Sequence, residues 1–372
     1  MVKVKCTGLF AKITQPITAG EVWKWGPIPL EDRERTPLNL IQRGIEEKLI
    51  PQEPESFTPS KFGANLQQFS KDREEQAQFQ EINEAIKEEE RYRSNPKKHH
   101  EPCEALESAI LDAEIQEWLK NGNTLFLGSQ RPLNIIMNNA SSNRGYKITL
   151  KKISAQIYDM FVDSRNLYYS LDDTYQKRTA IGKIAEDKIL RKSVLNAGNS
   201  AMGVKIYGIF YIDLTPTIRF LYHSEIDYGN NCGNVGLELK TKAFFLGENE
   251  ERENFLESTK LYSCKLKEIY CKALLSGLNT AVMAIVQAET RSRTRNNGKN
   301  FVIKTMRFYN TGEIPKSTKG IWTKEEIEQE LQYFQEFLQT DQFTQETSDP
   351  RKNLFEIVGK KVRGGKTLIM IH

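Results

Sequence analysis

Cysteine is sparse and unpatterned in this chain. There are five, Cys6, Cys103, Cys232, Cys264 and Cys271, an odd number without a C-x-x-C pair. That arrangement argues against a disulfide framework and against a zinc site. The four histidines, His99, His100, His223 and His372, show no spacing for a metal or for a serine–histidine pair. No apolar run reaches membrane-spanning length and the N-terminus carries no apolar leader, so the expectation is a soluble intracellular protein with no membrane partner. Charge of one sign is also lacking: a net charge of +4 over 372 residues permits a nucleic-acid partner without requiring one. Lys360-Lys-Val-Arg-Gly-Gly-Lys366-Thr looks superficially like a phosphate-binding loop. Its first glycine is misplaced by one residue, and too little chain follows to form the helix. Neither an internal repeat nor a clean linker divides the chain, which reads as one domain over 1–372.

What is present is globular: 38% of the residues are hydrophobic, enough for a substantial core. Residues 1–60 suggest loops and a strand or two, and 66–94 a polar surface helix. Residues 103–120 carry a helical stripe of Leu106, Ala109, Ile110 and Ala113. Strands are expected at Thr124–Leu127, Tyr146–Leu150, Ile157–Val162, Met202–Leu214, Ile218–Tyr228 and Val235–Phe245, and a helix at 177–192. Ser263–Ser276 reads as a helix stopped by Gly277. Ala281–Val286 and Phe301–Phe308 read as a strand pair turning near Asn296-Asn297-Gly298. Thr323 and Glu326 form a capping box that opens a helix with Ile327, Leu331, Phe334 and Leu338 on one face. This order predicts an α+β domain with a mainly antiparallel sheet.

Two short acidic strands carry the chemistry. Residues two apart on a strand share a face, so Glu225 pairs with Asp227 and Glu238 with Lys240. Tyr-Gly-Asn-Asn-Cys-Gly-Asn between them has turn character. Folded back as a hairpin, three carboxylates and one ammonium would meet, and such a patch repels itself unless a cation enters it. Oxygen donors of this kind suit Mg²⁺ or Mn²⁺, and metal-assisted attack on a phosphodiester or phosphoanhydride is the usual task. Solvent-facing strand residues paired with lysines are the competing explanation.

Other candidates are weaker taken singly. Gly182-Lys-Ile-Ala-Glu186 would stack a glycine and a carboxylate on one helix face, and an ordinary exposed glutamate explains it equally. Arg131 follows a strand in Gly-Ser-Gln-Arg-Pro and could hold a phosphate; it could also be one surface arginine among many. Lys272 shares a helix face with Lys265 and Glu268, as a solvated face would. Arg291, Arg293, Arg295 and Lys299 crowd a hairpin tip, either a solubilising turn or a nucleic-acid clamp. His223 could line the same pocket as Glu225.

Taken in order, these pieces resemble the DXO/Rai family of 5′-end RNA decapping enzymes: Arg131, then Gly182 to Glu186, Glu225-Ile-Asp227, Glu238-Leu-Lys240, and Lys272 ahead of a glycine. Ile218-Arg-Phe-Leu-Tyr-His-Ser leading into the acids resembles the family's strand, and Lys265 to Gly277 its following helix. The likeness covers roughly 104–360, and the first hundred residues match weakly. Lys183 and Ala185 depart from the bulky apolar residues usual inside G-x-x-x-E, and Pro132 replaces a common glycine.

The resemblance implies a fold of two mixed or mainly antiparallel sheets flanked by helices around a nuclease-like core. It implies a hydrolase of RNA 5′ ends, removing incomplete, unmethylated or NAD caps, releasing pyrophosphate from 5′-triphosphate RNA and, in some members, continuing as a 5′→3′ exonuclease. Glu186, Asp227, Glu238 and the Leu239 carbonyl would hold two divalent cations, Mg²⁺ or Mn²⁺, and Glu225 would join directly or through water. Lys240 and Lys272 would serve the reacting water and phosphate, and Arg131 the RNA backbone. Some members bind a nuclear 5′→3′ exoribonuclease, which favours the nucleus over the cytoplasm. The alternatives are a non-catalytic RNA-binding partner that stabilises such an exoribonuclease, and a metal-dependent DNA nuclease.

Overall fold

The computed structural model describes residues 4–15, 22–27, 76–77, 106, 109–139, 145–162, 204–226, 228–231, 235–245, 260–278, 280–288, 299–318, 320–362 and 365–372. Along the chain come β1 (Lys5–Gln15), β2 (Val22–Pro27), β3 (Gln76–Ala77), α1 (Ala113–Lys120), β4 (Thr124–Ser129), α2 (Arg131–Asn138), β5 (Tyr146–Lys152) and β6 (Ile157–Phe161). They continue with β7 (Val204–Thr215), β8 (Ile218–Ile226), β9 (Tyr228–Asn231), β10 (Val235–Phe245), α3 (Lys260–Leu275), β11 (Thr280–Ala288) and β12 (Lys299–Asn310). A 3-10 turn (Thr311–Thr318), α4 (Lys324–Leu338), α5 (Asp341–Ser348), β13 (Leu354–Lys361) and β14 (Thr367–Ile371) complete it.

The strands make a nine-stranded sheet, β14-β13-β5-β6-β4-β8-β7-β1-β2, and a five-stranded one, β3-β12-β11-β10-β9. Both are mixed. β4 runs parallel to β6 and β8, and β10 parallel to β11, while the other pairings are antiparallel. Two sheets flanked by helices were expected, and that is the architecture found.

The large sheet is covered on both faces around β4, so its side chains are apolar on both. Phe126, Phe210, Phe220 and Tyr222 face one core with α2, α3 and α4. Leu125, Leu127, Ile209, Tyr211 and Leu221 face a second one with Leu106 and Ile115. The Arg219 guanidinium fastens α1 there, lying 4.2 Å from the Trp118 ring centre and 4.1 Å from that of Tyr211, with Asp213 bonded at 2.6 Å. Between the sheet's central strands, a Cβ at Gly128 would stand 2.3 Å from the Met160 carbonyl oxygen, so only glycine fits.

The helix α3 packs its apolar side (Leu266, Ile269, Tyr270 and Ala273) into the first core and ends at Gly277, whose φ is +64°. The expected capping box opens α4: the Thr323 N–H donates to Glu326 at 2.9 Å and the Glu326 N–H to Thr323 at 3.2 Å. Glu330 of α4 is buried, accepting from Asn139 at 2.9 Å and Thr367 at 2.8 Å and pairing with Lys361, which ties α4 to the β13–β14 edge.

Several elements differ from expectation. Arg131 opens a helix where none was expected. Pro132 in its first turn and the buried Leu133, Ile136 and Met137 are its signals. The helix expected over 103–120 is interrupted at Leu111 and Asp112, and the Asp112 carboxylate caps the restart by accepting from the Glu114 N–H. Gln76 and Ala77, assigned to a polar helix, pair instead with β12. The would-be phosphate loop begins inside β13. The rest of 66–94, the helix at 177–192 and the turn at Asn296 to Gly298 lie outside the described residues.

Asp159 on β6 gives a pH prediction. Burial, opposed weakly by Lys151, pushes its carboxyl from 3.8 up to about 6. The folded state therefore holds a proton that the unfolded state releases, and this site's contribution to stability falls as pH rises from about 4 through 6. That interval corresponds to roughly 3 kcal/mol as a ceiling. Asp159→Asn should flatten the decline and raise the melting temperature at pH 7. Calorimetry at pH 5 and pH 7 checks it, and a variant no more stable than the parent at pH 7 would contradict it.

Candidate functional site

The acidic strand β8 lies between β4 and β7 in the large sheet. Its alternation puts Tyr222, Ser224 and Ile226 against α3: Tyr222 Oη donates to the Leu275 carbonyl at 2.6 Å, and Ser224 Oγ lies 2.8 Å from Ser276 Oγ. Glu225 belongs to the other face, with His223, whose ring meets that of Tyr207 edge-on at 5.7 Å.

Where β8 ends, the chain changes sheets. Ile226 is paired in the large sheet with Ile206, whereas Tyr228 begins β9 and pairs with Leu237 in the small one. The hairpin is therefore β9–β10, and the two acidic segments are not hairpin partners as the spacing suggested. Long-range pairing decided this, since β8 had two neighbours in the large sheet already. Asp227 stands in sequence between the two sheets and lies outside the described residues, as does Glu186.

On β10, Glu238 is fully buried at 0% side-chain exposure. Its Oε1 receives the Lys240 ammonium at 2.9 Å and the Lys272 ammonium at 2.7 Å. The Lys240 Nζ also donates to the Leu239 carbonyl at 3.2 Å. The expected E-x-K pair thus shares one face, and α3 brings Lys272 onto the same carboxylate. Lys272 is only 14% exposed and joins α3 to β10, so a solvated helix face does not describe it. A buried carboxylate tolerates its desolvation only when paired this closely.

Glu268, one turn before Lys272, was expected on a solvated face with it. It bonds Lys265 at 2.7 Å. Desolvation would raise its carboxyl, but Lys265, and then Lys240 and Lys272, outweigh that and hold it below the usual range. The i,i+4 spacing to Lys272 was the available signal. Among the described residues, this side of the site carries three ammonium groups, Lys240, Lys265 and Lys272, and two carboxylates, Glu238 and Glu268.

Arg131 is the first residue of α2, just beyond β4. Since β4 and β8 run parallel, with Ser129 beside His223, their C-terminal ends share one sheet edge. That edge is where ligands bind in parallel α/β arrangements, and it places Arg131 beside the end of β8 that bears Glu225. Arg291, Arg293 and Arg295 lie outside the described residues.

The structure thus joins Glu238, Leu239, Lys240 and Lys272, and sets Arg131 and Glu225 at neighbouring strand ends. The described donors that could hold a cation, Glu238 and the Leu239 carbonyl, are hard oxygens of the kind Mg²⁺ and Mn²⁺ take.

No protein-family model and no curated protein sequence matches the chain. Solved structures do. Rai1 of Scheffersomyces stipitis, in complex with (3′-NADP)⁺ and calcium ion, superposes with a TM-score of 0.55 at 12% identity, covering 100% of this chain and 90% of its own. Candida albicans Rai1 in complex with pU5-Mn²⁺ has a TM-score of 0.46 at 14% identity, covering 71% of this chain and 74% of its own. K. lactis Dxo1 in complex with manganese has 0.42 at 13%, covering 67% of each. The described residues share the fold of the Scheffersomyces stipitis protein.

Proposed function

We propose, from the fold shared with Scheffersomyces stipitis Rai1, that this protein is a metal-dependent hydrolase of RNA 5′ ends in RNA quality control. Its substrates would be incomplete or NAD-capped RNA and 5′-triphosphate RNA. The carrying observation is the buried Glu238 carboxylate, clasped by Lys240 and Lys272 beside the Leu239 carbonyl. A fully buried carboxylate with two ammonium groups on one oxygen is costly to fold, and a reactive site accounts for the cost.

Glu186, Asp227, Glu238 and the Leu239 carbonyl would hold two divalent cations, with Glu225 joining directly or through water. Bound there, the cations supply a water of lowered pKa and offset charge developing on the scissile phosphate. Lys240, held against Glu238, would orient the attacking water. Lys272 offers its ammonium to a non-bridging phosphate oxygen, and Arg131 holds the RNA backbone with the two-pronged geometry of a guanidinium. Action in the nucleus, beside a 5′→3′ exoribonuclease, belongs to the same proposal.

The test is one panel of 5′-labelled RNAs (triphosphate, unmethylated cap, methylated cap, NAD cap and monophosphate) incubated with Mn²⁺. Release of the 5′ group from at least one is expected, falling to background in EDTA and in Asp227→Ala with the fold retained. Full activity under either condition would end the mechanism, and preference for duplex DNA would end the RNA assignment.

A further inference from the structure

Three buried polar side chains meet in the core, one from β8, one from just before α2 and one from just after α3. Ser224 of β8 and Ser276 after α3 are each 1% exposed, and Gln130, which precedes α2, is 8% exposed. Ser276 Oγ donates to Gln130 Oε1 at 3.3 Å and lies 2.8 Å from Ser224 Oγ. A hydroxyl has one proton. With that of Ser276 directed to Gln130, the Ser224 hydroxyl must donate to Ser276. The chain then runs in one direction, Ser224 to Ser276 to Gln130, and the Ser224 contact with the Glu225 carbonyl at 3.3 Å is the weaker alternative.

Apolar residues of equal volume would fill this space and stabilise the core as well. What they lack is direction: a hydrogen bond between buried groups sets the register of the elements that bear them. Each member of the chain adjoins a residue of the site. Gln130 precedes Arg131, Ser224 precedes Glu225, and Ser276 lies one turn after Lys272. Two further polar contacts oppose sliding. Tyr222, on the same face as Ser224, bonds the Leu275 carbonyl at 2.6 Å. At the far end of α2, the buried Lys267 ammonium of α3 donates to the Asn138 carbonyl at 2.8 Å. The helix α2 is thus pinned to α3 at both of its own ends.

We propose that the hydrogen-bond chain Ser224–Ser276–Gln130 positions Arg131, Glu225 and Lys272 relative to one another, so that phosphate contact and reacting centre keep one spacing. The catalytic meaning of that spacing rests on the function proposed above; the positioning itself does not. Ser276→Ala breaks both bonds of the chain, whereas Ser224→Ala leaves Ser276 bonded to Gln130.

In steady-state hydrolysis with Mn²⁺, Ser276→Ala should lower kcat by about tenfold, within the range that small misplacements of reacting groups produce, and leave KM nearly unchanged. Ser224→Ala should lose less. Ser276→Ala combined with Gln130→Leu should be no worse than Ser276→Ala alone, because the bond that Gln130→Leu removes is already lost in Ser276→Ala. Ile327→Val, a core change in α4, serves as a control for lost stability and should keep kcat. Additive losses, or a kcat that simply follows melting temperature across the four variants, would overturn the proposal. A second measurement is independent of activity. The Arg131 Nε–Hε resonance in arginine-labelled protein should shift in Ser276→Ala and Gln130→Leu but not in Ile327→Val. An unmoved resonance refutes the positioning role. A wild-type protein inert on every RNA refutes the proposed function instead, and the Arg131 resonance then still decides the positioning.

Discussion

Glu238→Gln should abolish metal-dependent hydrolysis of RNA 5′ ends and lower stability together. The substitution keeps the shape of the side chain and removes its charge. Lys240 and Lys272, both within 3 Å of one oxygen in the parent, would then face each other without the charge of that carboxylate between them. Breaking a buried ion pair by deleting one partner costs about 3–5 kcal/mol. The lower end applies here, because Lys240 and Lys272 keep 21% and 14% exposure and can turn partly toward water. The catalytic loss should be larger. Removing an outer partner of a metal ligand costs roughly 10–100-fold, and Glu238 is assigned as a ligand itself. Mn²⁺ titration should show weaker binding and the RNA panel should show background activity. The drop in melting temperature should shrink at high salt, which screens the exposed part of the lysine repulsion. A Glu238→Gln protein with parental activity would remove the carboxylate from the mechanism.

Trp322→Ala should be the most destabilising single change outside the site. The indole is 1% exposed, its Nε1–H donates to the Ser263 carbonyl at 2.8 Å, and its ring lies 5.5 Å from that of Tyr270. Both partners are on α3, two turns apart, so the tryptophan seats the helix that carries Lys272. Truncating a buried tryptophan costs about 3–5 kcal/mol, against a total stability of roughly 5–15 kcal/mol. Trp322→Phe keeps most of the packing and should lose mainly the hydrogen bond, about 1 kcal/mol. Denaturant melts of both variants check the order. Equal midpoints for Trp322→Ala and the parent would contradict this account of the core.

The local signals were legible where one short period decided the outcome. Strand β10 was delimited at Val235 and Phe245 by alternation alone, and the Glu238–Lys240 pairing followed from residues two apart on a strand. The capping box at Thr323 and the stop at Gly277 were equally local. By contrast, α2 has only eight residues, too few for its period to stand out, and burial of Leu133 and Ile136 shows which side faces the core. Glu330 looks like a surface residue on α4 until Asn139, Thr367 and Lys361 surround it.

By itself the amino-acid sequence determined an α+β chain and the strands that bear Glu225 and Glu238. Side-chain period and ligand chemistry are properties of neighbouring residues. Only the tertiary structure decided that β8 and β10 belong to different sheets, that Lys272 closes on Glu238, and that Gln130, Ser224 and Ser276 bond across three elements. Those outcomes depend on which strands and helices compete for the same hydrogen-bonding edges and buried area, and residues far apart in the chain settle that competition.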